Sequence, residues 1–322
     1  MTPVPTALKA WRPALHVAVL IEEPFAAVFR HQPAVDEVIS VPPDAGLARR
    51  LRCLGAIRRS RFDLVFNLHS GSTAGLLTAL SGAPLRVAYA KARFAPLCNV
   101  RVPPSESFWG AKRVHTVRHQ LTPLLHLGIP VPDAPRLELH MDPAARQRVL
   151  EQMEQLRLRQ GGFIVMQPFS NWVTKEWEPA RFAELARRLK ERYGVPILTL
   201  PAPSENERLE RLLSLADGAI AAVRDVPLDE MMAWIEQCAF LVGNDSGPAH
   251  VAGALNKKSV VIFGSADPQV WHPWAGEYEL LTPDFPCIPC AGDRCYEFDS
   301  PRCIESITVE QVLLAVSRLE PF

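Results

Sequence analysis

The second half of the chain carries five short and nearly continuous apolar runs: Phe163–Gln167, Pro196–Leu200, Ala219–Val223, Phe240–Gly243 and Ser259–Phe263. Runs of that length without apolar–polar alternation are strands covered on both faces, as in a parallel sheet. Helical segments separate them, at Ala180–Arg192, Glu205–Leu215, Leu228–Gln237 and Pro248–Leu255. Parallel neighbours need a crossover, so this alternation restricts the chain to α/β units with open parallel sheets. The first half repeats the pattern less cleanly. Strands are predicted at His16–Ile21, Glu37–Val41, Asp63–Leu68 and Arg86–Ala90, and helices at Ala74–Leu80 and Lys112–Leu127. Pro130, Pro132 and Pro135 break the chain, and Gly161–Gly162 open the second half after a polar helix, so a boundary is expected between residues 130 and 160. A last helix begins at Thr308, with Gln311 completing a capping box and Val309, Val312, Leu313 and Val316 on one face.

With 322 residues, two domains are the default, each large enough to bury a core. Apolar residues make up 48% and charged residues 22%, which excludes wholesale disorder. No apolar run approaches the ~20 residues of a membrane span. The start of the chain, with prolines and then Lys9, Trp11 and Arg12, lacks a secretory leader pattern. A cytoplasmic protein is expected.

The net charge of zero conceals an asymmetry. Residues 1–150 hold 19 Lys and Arg against 10 Asp and Glu, and the remainder reverses this with 16 against 25. Arg49, Arg50, Arg52, Arg58, Arg59 and Arg61 fall within thirteen positions, beside an apolar stripe of Leu47, Leu51 and Leu54. This run is either a solvated helix face or a basic surface for an anionic acceptor or membrane. No aromatic residues interleave with it and the pI is near 7, so no nucleic-acid partner is expected.

Absences narrow the chemistry. No Gly-x-Gly-x-x-Gly, Gly-x-x-x-x-Gly-Lys or Gly-x-Ser-x-Gly occurs, nor any Asp-x-Asp pair that would clamp a metal-bound nucleotide sugar. Two segments stand out instead. Leu241-Val-Gly-Asn-Asp-Ser-Gly-Pro-Ala-His250 is an apolar strand passing through a small polar loop into a helix of small residues. Unpaired N–H groups and the dipole at such a helix start suit a pyrophosphate; alternatively Asp245 and Ser246 only cap the helix. Gln167-Pro-Phe-Ser-Asn-Trp-Val-Thr-Lys-Glu-Trp177 also leaves a strand, placing Ser170, Asn171, Thr174 and Lys175 at the carboxyl edge where α/β sheets bind ligands. A lysine there neutralises charge on a departing phosphate, or is merely solvated.

Together these loops resemble glycosyltransferase family 9, the ADP-heptose:lipopolysaccharide heptosyltransferases. The resemblance extends to Asp63-Leu-Val-Phe-Asn-Leu-His69, Gly82-Ala-Pro-Leu-Arg-Val-Ala-Tyr89, His115 ahead of the Leu124–Gly128 helix end, Lys175-Glu-Trp177, and Phe263-Gly-Ser-Ala-Asp-Pro268, nearly the whole chain. It implies an α/β fold of GT-B architecture, two Rossmann-like domains facing across a cleft. The acceptor-side domain would span residues 1–150, the donor domain 160–305, and a terminal helix at 306–322 would pack back on the first domain. It implies inverting, metal-independent transfer of a heptose-type sugar from an ADP-sugar to a lipopolysaccharide-core or related glycan, with no cofactor. Ser170, Asn171 and Lys175 would hold the donor phosphates and sugar. Asp245 would hold the sugar, with Ser246, Gly247, Pro248 and His250 near the diphosphate and Glu205 and Val226 near the nucleoside. Lys175, Asp245 and His250 would carry the catalytic role, while Asn67 and His69 would face the acceptor. The expected partners are a nucleotide sugar and an anionic glycolipid, with peripheral contact at the inner-membrane face. Lys175 and Asp245 lie at loop edges, so their loss is expected to weaken donor binding and leave the melting temperature nearly unchanged.

The chain departs from the family at its start. Members open with a strand ending in a Gly-Asp loop whose Asp serves as the base for the acceptor hydroxyl. Here Thr2–Pro13 resembles the helix after that loop, His16–Ile21 the second strand, and the first acidic residue is Glu22. A gap in the first sheet is expected, with roughly 10–20 further residues encoded upstream of Met1, since unpaired buried strand groups cost about 1–3 kcal/mol each. A nucleotide-sugar-binding relic without the base, and a GT-B nucleotide-sugar epimerase, are the alternatives. Finally, Cys287, Cys290, Cys295 and Cys303 form C-x2-C-x4-C-x7-C, a candidate structural metal site, a reduced thiol loop or a local disulfide. Cys53, Cys98 and Cys238 lie in apolar segments as core thiols.

Overall fold

A computed structural model describes residues 3–44, 46–69, 71–290 and 292–320. The chain divides into two compact units, Met1–Arg136 and Leu137–Phe322. The first unit contains strands β1 (Ala18–Glu22), β2 (Glu37–Val41), β3 (Leu64–Asn67), β4 (Leu85–Tyr89) and β5 (Val100–Val102). The second contains β6 (Ile164–Gln167), β7 (Ile197–Thr199), β8 (Ala221–Ala222), β9 (Phe240–Asn244), β10 (Lys258–Ile262) and β11 (Tyr278–Leu281). Every pairing is parallel.

The second unit holds one six-stranded sheet in the order β11-β10-β9-β6-β7-β8. The chain builds outward from β6 through β7 to β8, then returns to the other side of β6 and builds outward again from β9. The order therefore reverses between β6 and β9. Those two strands are buried at every position, as their nearly continuous apolar sequences lead one to expect. Helix Pro179–Tyr193 shows why the covering layer forms. Proline opens it, Gly194 ends it in the left-handed region at φ +65°, and Phe182, Leu185, Ala186 and Leu189 recur at helical spacing on its buried face. Trp177 stands edge-on to Phe182 and donates its indole N–H to the Ile307 carbonyl at 2.9 Å.

The domain boundaries differ from those the resemblance implied. Helix Pro143–Gln155 belongs to the second unit, packing on Leu228–Gln237 with Arg146–Glu236 (2.7 Å) and Arg148–Glu230 (2.6 Å) ion pairs. The terminal helix Val309–Arg318, expected on the first domain, belongs to the second unit. Its Val309, Val312 and Val316 lie in the second unit's core with Trp177, Phe182 and Leu185, because that face covers β10 and β11.

The first unit's strands form two sheets, β1-β2 and β3-β4-β5. Among the described residues no strand joins β1 to β3, which is the gap anticipated from the sequence. Helix Pro3–Trp11 is nonetheless well packed, with Val4 and Ala7 buried against Leu121, Leu124 and Ile129.

Candidate functional site at the strand-order reversal

In a parallel sheet all loops after the strands emerge on one edge, and a ligand crevice opens where strand order reverses. In the second unit that place lies beyond the ends of β6 and β9. The 3-10 turn Val173–Lys175 follows β6, and Asp245 follows β9 directly. The two meet: Lys175 Nζ is 2.7 Å from Asp245 Oδ2, the two side chains retaining 17% and 4% of their surface. His250, on the Gly247–Ala254 helix, places Nε2 at 4.0 Å from Asp245 Oδ1. Its side chain keeps about a third of its surface (36%), yet burial among surrounding protein atoms holds the imidazole below the usual histidine range, with Asp245 opposing and Lys175 reinforcing that shift.

The local backbone explains why these groups converge. Gly243 faces Gln167 across the β9–β6 pair so closely that a Cβ would sit 2.3 Å from the Gln167 carbonyl oxygen. Gly264, just beyond β10, is likewise required, since a Cβ would lie 2.0 Å from the Thr174 oxygen. Asn244 is fully buried and ties the two loops together. Its Oδ1 accepts from the Trp177 N–H at 3.1 Å, and its Nδ2 donates to the Pro168 carbonyl at 2.7 Å. Thr174 is buried too, hydrogen-bonded to Ser265 Oγ (2.8 Å) and donating to the Gly292 carbonyl (2.5 Å).

The helix-cap alternative for Asp245 and Ser246 does not hold. Ser246 occupies the N-cap position without a side-chain cap bond; its hydroxyl donates back to the Asn244 carbonyl at 3.2 Å. Asp245 is turned to Lys175 instead. The Gly247–Ala254 helix, with Gly247 and Pro248 as its first residues, therefore starts without a side-chain cap. A lysine, a histidine and a helix N-terminus thus gather beside one buried carboxylate.

The other predicted residues of the second unit lie on the loops after β6, β7 and β8. Ser170 is nearly buried; its N–H donates to Glu176 Oε2 at 3.0 Å and its carbonyl accepts from Arg208 at 3.0 Å. Glu176 and Arg208 are themselves ion-paired. Asn171 is exposed on the same loop. Glu205 follows β7, half-buried; its carboxylate accepts from the Ala202 N–H at 2.8 Å and lies 3.7 Å from Arg208, and burial raises its pKa. Val226 is half-buried beyond β8, three strands from β9 in the sheet order. Asn67 and His69 belong to the first unit, at the carboxyl end of β3. Buried Asn67 accepts from the His69 N–H at 3.1 Å, and the exposed His69 ring accepts from Gly71 N–H at 3.1 Å.

Sequence reasoning missed Asn244, Glu176 and Arg208 as residues that fix the loops, and read Thr174 only as a ligand-edge residue although it bonds Ser265 and Gly292. The signal available was glycine at 243 and 264, directly at strand ends, where a missing Cβ marks a close backbone approach. The four clustered cysteines are free thiols lining one cavity of about 150 Å³ with Thr174 and Ser265. Among the described residues no three His, Cys, Asp or Glu side chains are arranged to hold a metal ion.

Residues 50–298 match the profile of glycosyltransferase family 9 (heptosyltransferase). The chain belongs to that family. It is a glycosyltransferase, and full-length relatives agree. It is 22% identical to lipopolysaccharide heptosyltransferase 3 of Escherichia coli, over 99% of this chain and 95% of that protein. Its fold matches the glycosyl transferase family 9 structure from Veillonella parvula at a TM-score of 0.81, with 21% identity over 99% of this chain and 92% of the other. It also matches E. coli ADP-heptose lipopolysaccharide heptosyltransferase II at 0.78, with 20% identity over 99% and 93%. The fold is thus that of the GT-B heptosyltransferases.

Proposed function

We propose that this glycosyltransferase moves a heptose-type sugar from an ADP-sugar to a lipopolysaccharide-core or related glycan, with inversion and without a metal, at the cytoplasmic face of the inner membrane. The observation carrying this reading is the Lys175–Asp245 pair at the strand-order reversal, beside an uncapped helix start. Bond breaking at the anomeric carbon leaves negative charge on the departing diphosphate. Lys175 and the helix start at Gly247 supply compensating positive potential without reorganisation, and the neutral His250 imidazole can donate a hydrogen bond, together filling the role that a metal ion has in other transferases. Asp245, released from Lys175 as the diphosphate takes its place, is then a hydrogen-bond acceptor for sugar hydroxyls. Ser170 and Asn171 would bind the phosphates and sugar, Glu205 and Val226 the nucleoside, and Asn67 and His69 the acceptor.

Purified protein should be presented with ADP-heptose and a panel of other nucleotide sugars, together with deacylated core acceptors, and binding and transfer measured separately. Saturable binding selective for ADP-sugars, followed by glycan extension, is the expected result; no binding to any nucleotide sugar refutes it. A second reading is donor binding without transfer, in which the Lys175–Asp245 site holds a nucleotide sugar and no acceptor is extended. Tight donor binding with no extension of any acceptor would select it.

A further inference from the structure

Helix Leu47–Ser60 is the most exposed long helix of the first unit: Ile57 is its one buried residue. Leu47 keeps 74% of its surface and Leu51 57%. At 100° per residue, Leu47, Leu51 and Arg58 fall on one stripe, with Arg52 and Arg59 together along its flank. From Gly46 to Phe62 there is no acidic residue. Among the described residues none of Arg49, Arg50, Arg52, Arg58, Arg59 and Arg61 is ion-paired with a carboxylate.

Helix stability does not account for this distribution. Arg58 and Arg59 in the last turn suit the dipole, but Arg49 and Arg50 lie in the first turn, where the dipole disfavours cations and where no acidic residue offsets them. Like charges at Arg49, Arg50 and Arg52 also repel. At the helix's far end Arg58 and Arg61 line an open hollow of about 390 Å³ with Ser81, Gly82 and one carboxylate, Asp63. Exposed Leu80 and Leu85 bracket that turn. Unpaired guanidiniums interleaved with exposed leucines fit a surface offering anionic oxygens over an apolar layer, which a soluble glycan or nucleic acid lacks.

We propose that helix Leu47–Ser60 docks the protein on an anionic phospholipid bilayer, with Leu47 and Leu51 entering the headgroup–acyl boundary and the arginines engaging lipid phosphates. This goes beyond the donor site and does not depend on it. The test is co-sedimentation of the full chain with phosphatidylglycerol-containing vesicles and with pure phosphatidylcholine vesicles. Binding to the anionic vesicles alone is expected. It should weaken about fivefold per arginine removed, so about a hundredfold for the triple variant Arg52→Gln, Arg58→Gln, Arg59→Gln. Leu47→Ser with Leu51→Ser should weaken binding at unchanged charge. A control removing three exposed arginines of the second unit (Arg157→Gln, Arg192→Gln, Arg211→Gln) should bind like the parent. All sites are exposed, and thermal melts confirm that each variant is folded. The proposal is overturned if anionic vesicles are not bound, if either helix variant binds like the parent, or if the control loses affinity equally. Self-association through this helix, seen by sedimentation velocity without vesicle binding, would also overturn it.

Discussion

Lys175→Ala should destabilise the second unit, contrary to the expectation that a loop-edge lysine is dispensable for stability. Asp245 keeps only 4% of its side-chain surface and is paired with Lys175 at 2.7 Å. Removing one member of a buried pair typically costs 3–5 kcal/mol, because the remaining charge stays desolvated. Lys175 is 17% exposed and water can reach the vacated position, so the lower end applies, about 3 kcal/mol. For a unit of this size that is a fall in melting temperature of roughly 5–10 °C. The deficit should depend on pH. With Lys175 gone, its depressing effect on His250 disappears while that of Asp245, which favours the imidazolium, remains. His250 then takes up a proton more readily than in the parent, so the deficit relative to the parent should narrow as pH falls below about 6.5. Scanning fluorimetry across that range, with urea unfolding at its ends, measures both effects. A variant melting within about 1 °C of the parent at pH 8 would refute the burial of an uncompensated Asp245.

Asn244→Ala should cost about 2–4 kcal/mol in urea unfolding, since it strands the Trp177 N–H and the Pro168 carbonyl in a fully buried site, and it should lower donor affinity as well by freeing both loops. Gly264→Ala should shift the Thr174–Lys175 turn and reduce donor affinity at least as much as stability, readable by calorimetry beside a melt. For the parent protein, burial lowers the pKa of both His250 and His119, the latter stacked on Tyr89 at 4.3 Å. A depressed folded-state pKa means that stability is complete above the ordinary histidine value of about 6.5 and is lost as pH falls through the folded values, so unfolding midpoints should decline below about pH 6.5. A midpoint that rises on acidification through that range would contradict the direction of both shifts.

The second unit was legible because its strands are buried on both faces. Phe240–Asn244 and Lys258–Ile262 each carry a nearly continuous apolar run, and their boundaries fall within a residue or two of the expected ones. The short edge strands were not legible: Val100–Val102 and Tyr278–Leu281 are only partly covered, so burial imprints little pattern on them. Lys175, Asp245 and His250 could be singled out because strand-end loops of a parallel sheet share one edge. Their ion pair could not, since it depends on β9 returning beside β6, and nothing local in either segment encodes that return. The terminal helix illustrates the same limit. Its apolar face was evident from Val309, Val312 and Val316, but an amphipathic stripe specifies only that a core is covered, and here the core is that of the second unit.

The central claim, that the Lys175–Asp245 site is where the donor diphosphate binds, is tested most directly by titrating ADP-heptose calorimetrically into the parent and into Lys175→Gln, both held well below their melting temperatures. One-site binding is expected in the parent and affinity lower by about tenfold or more in the variant, the loss of one charge-assisted contact. Equal affinity in the two proteins would contradict it.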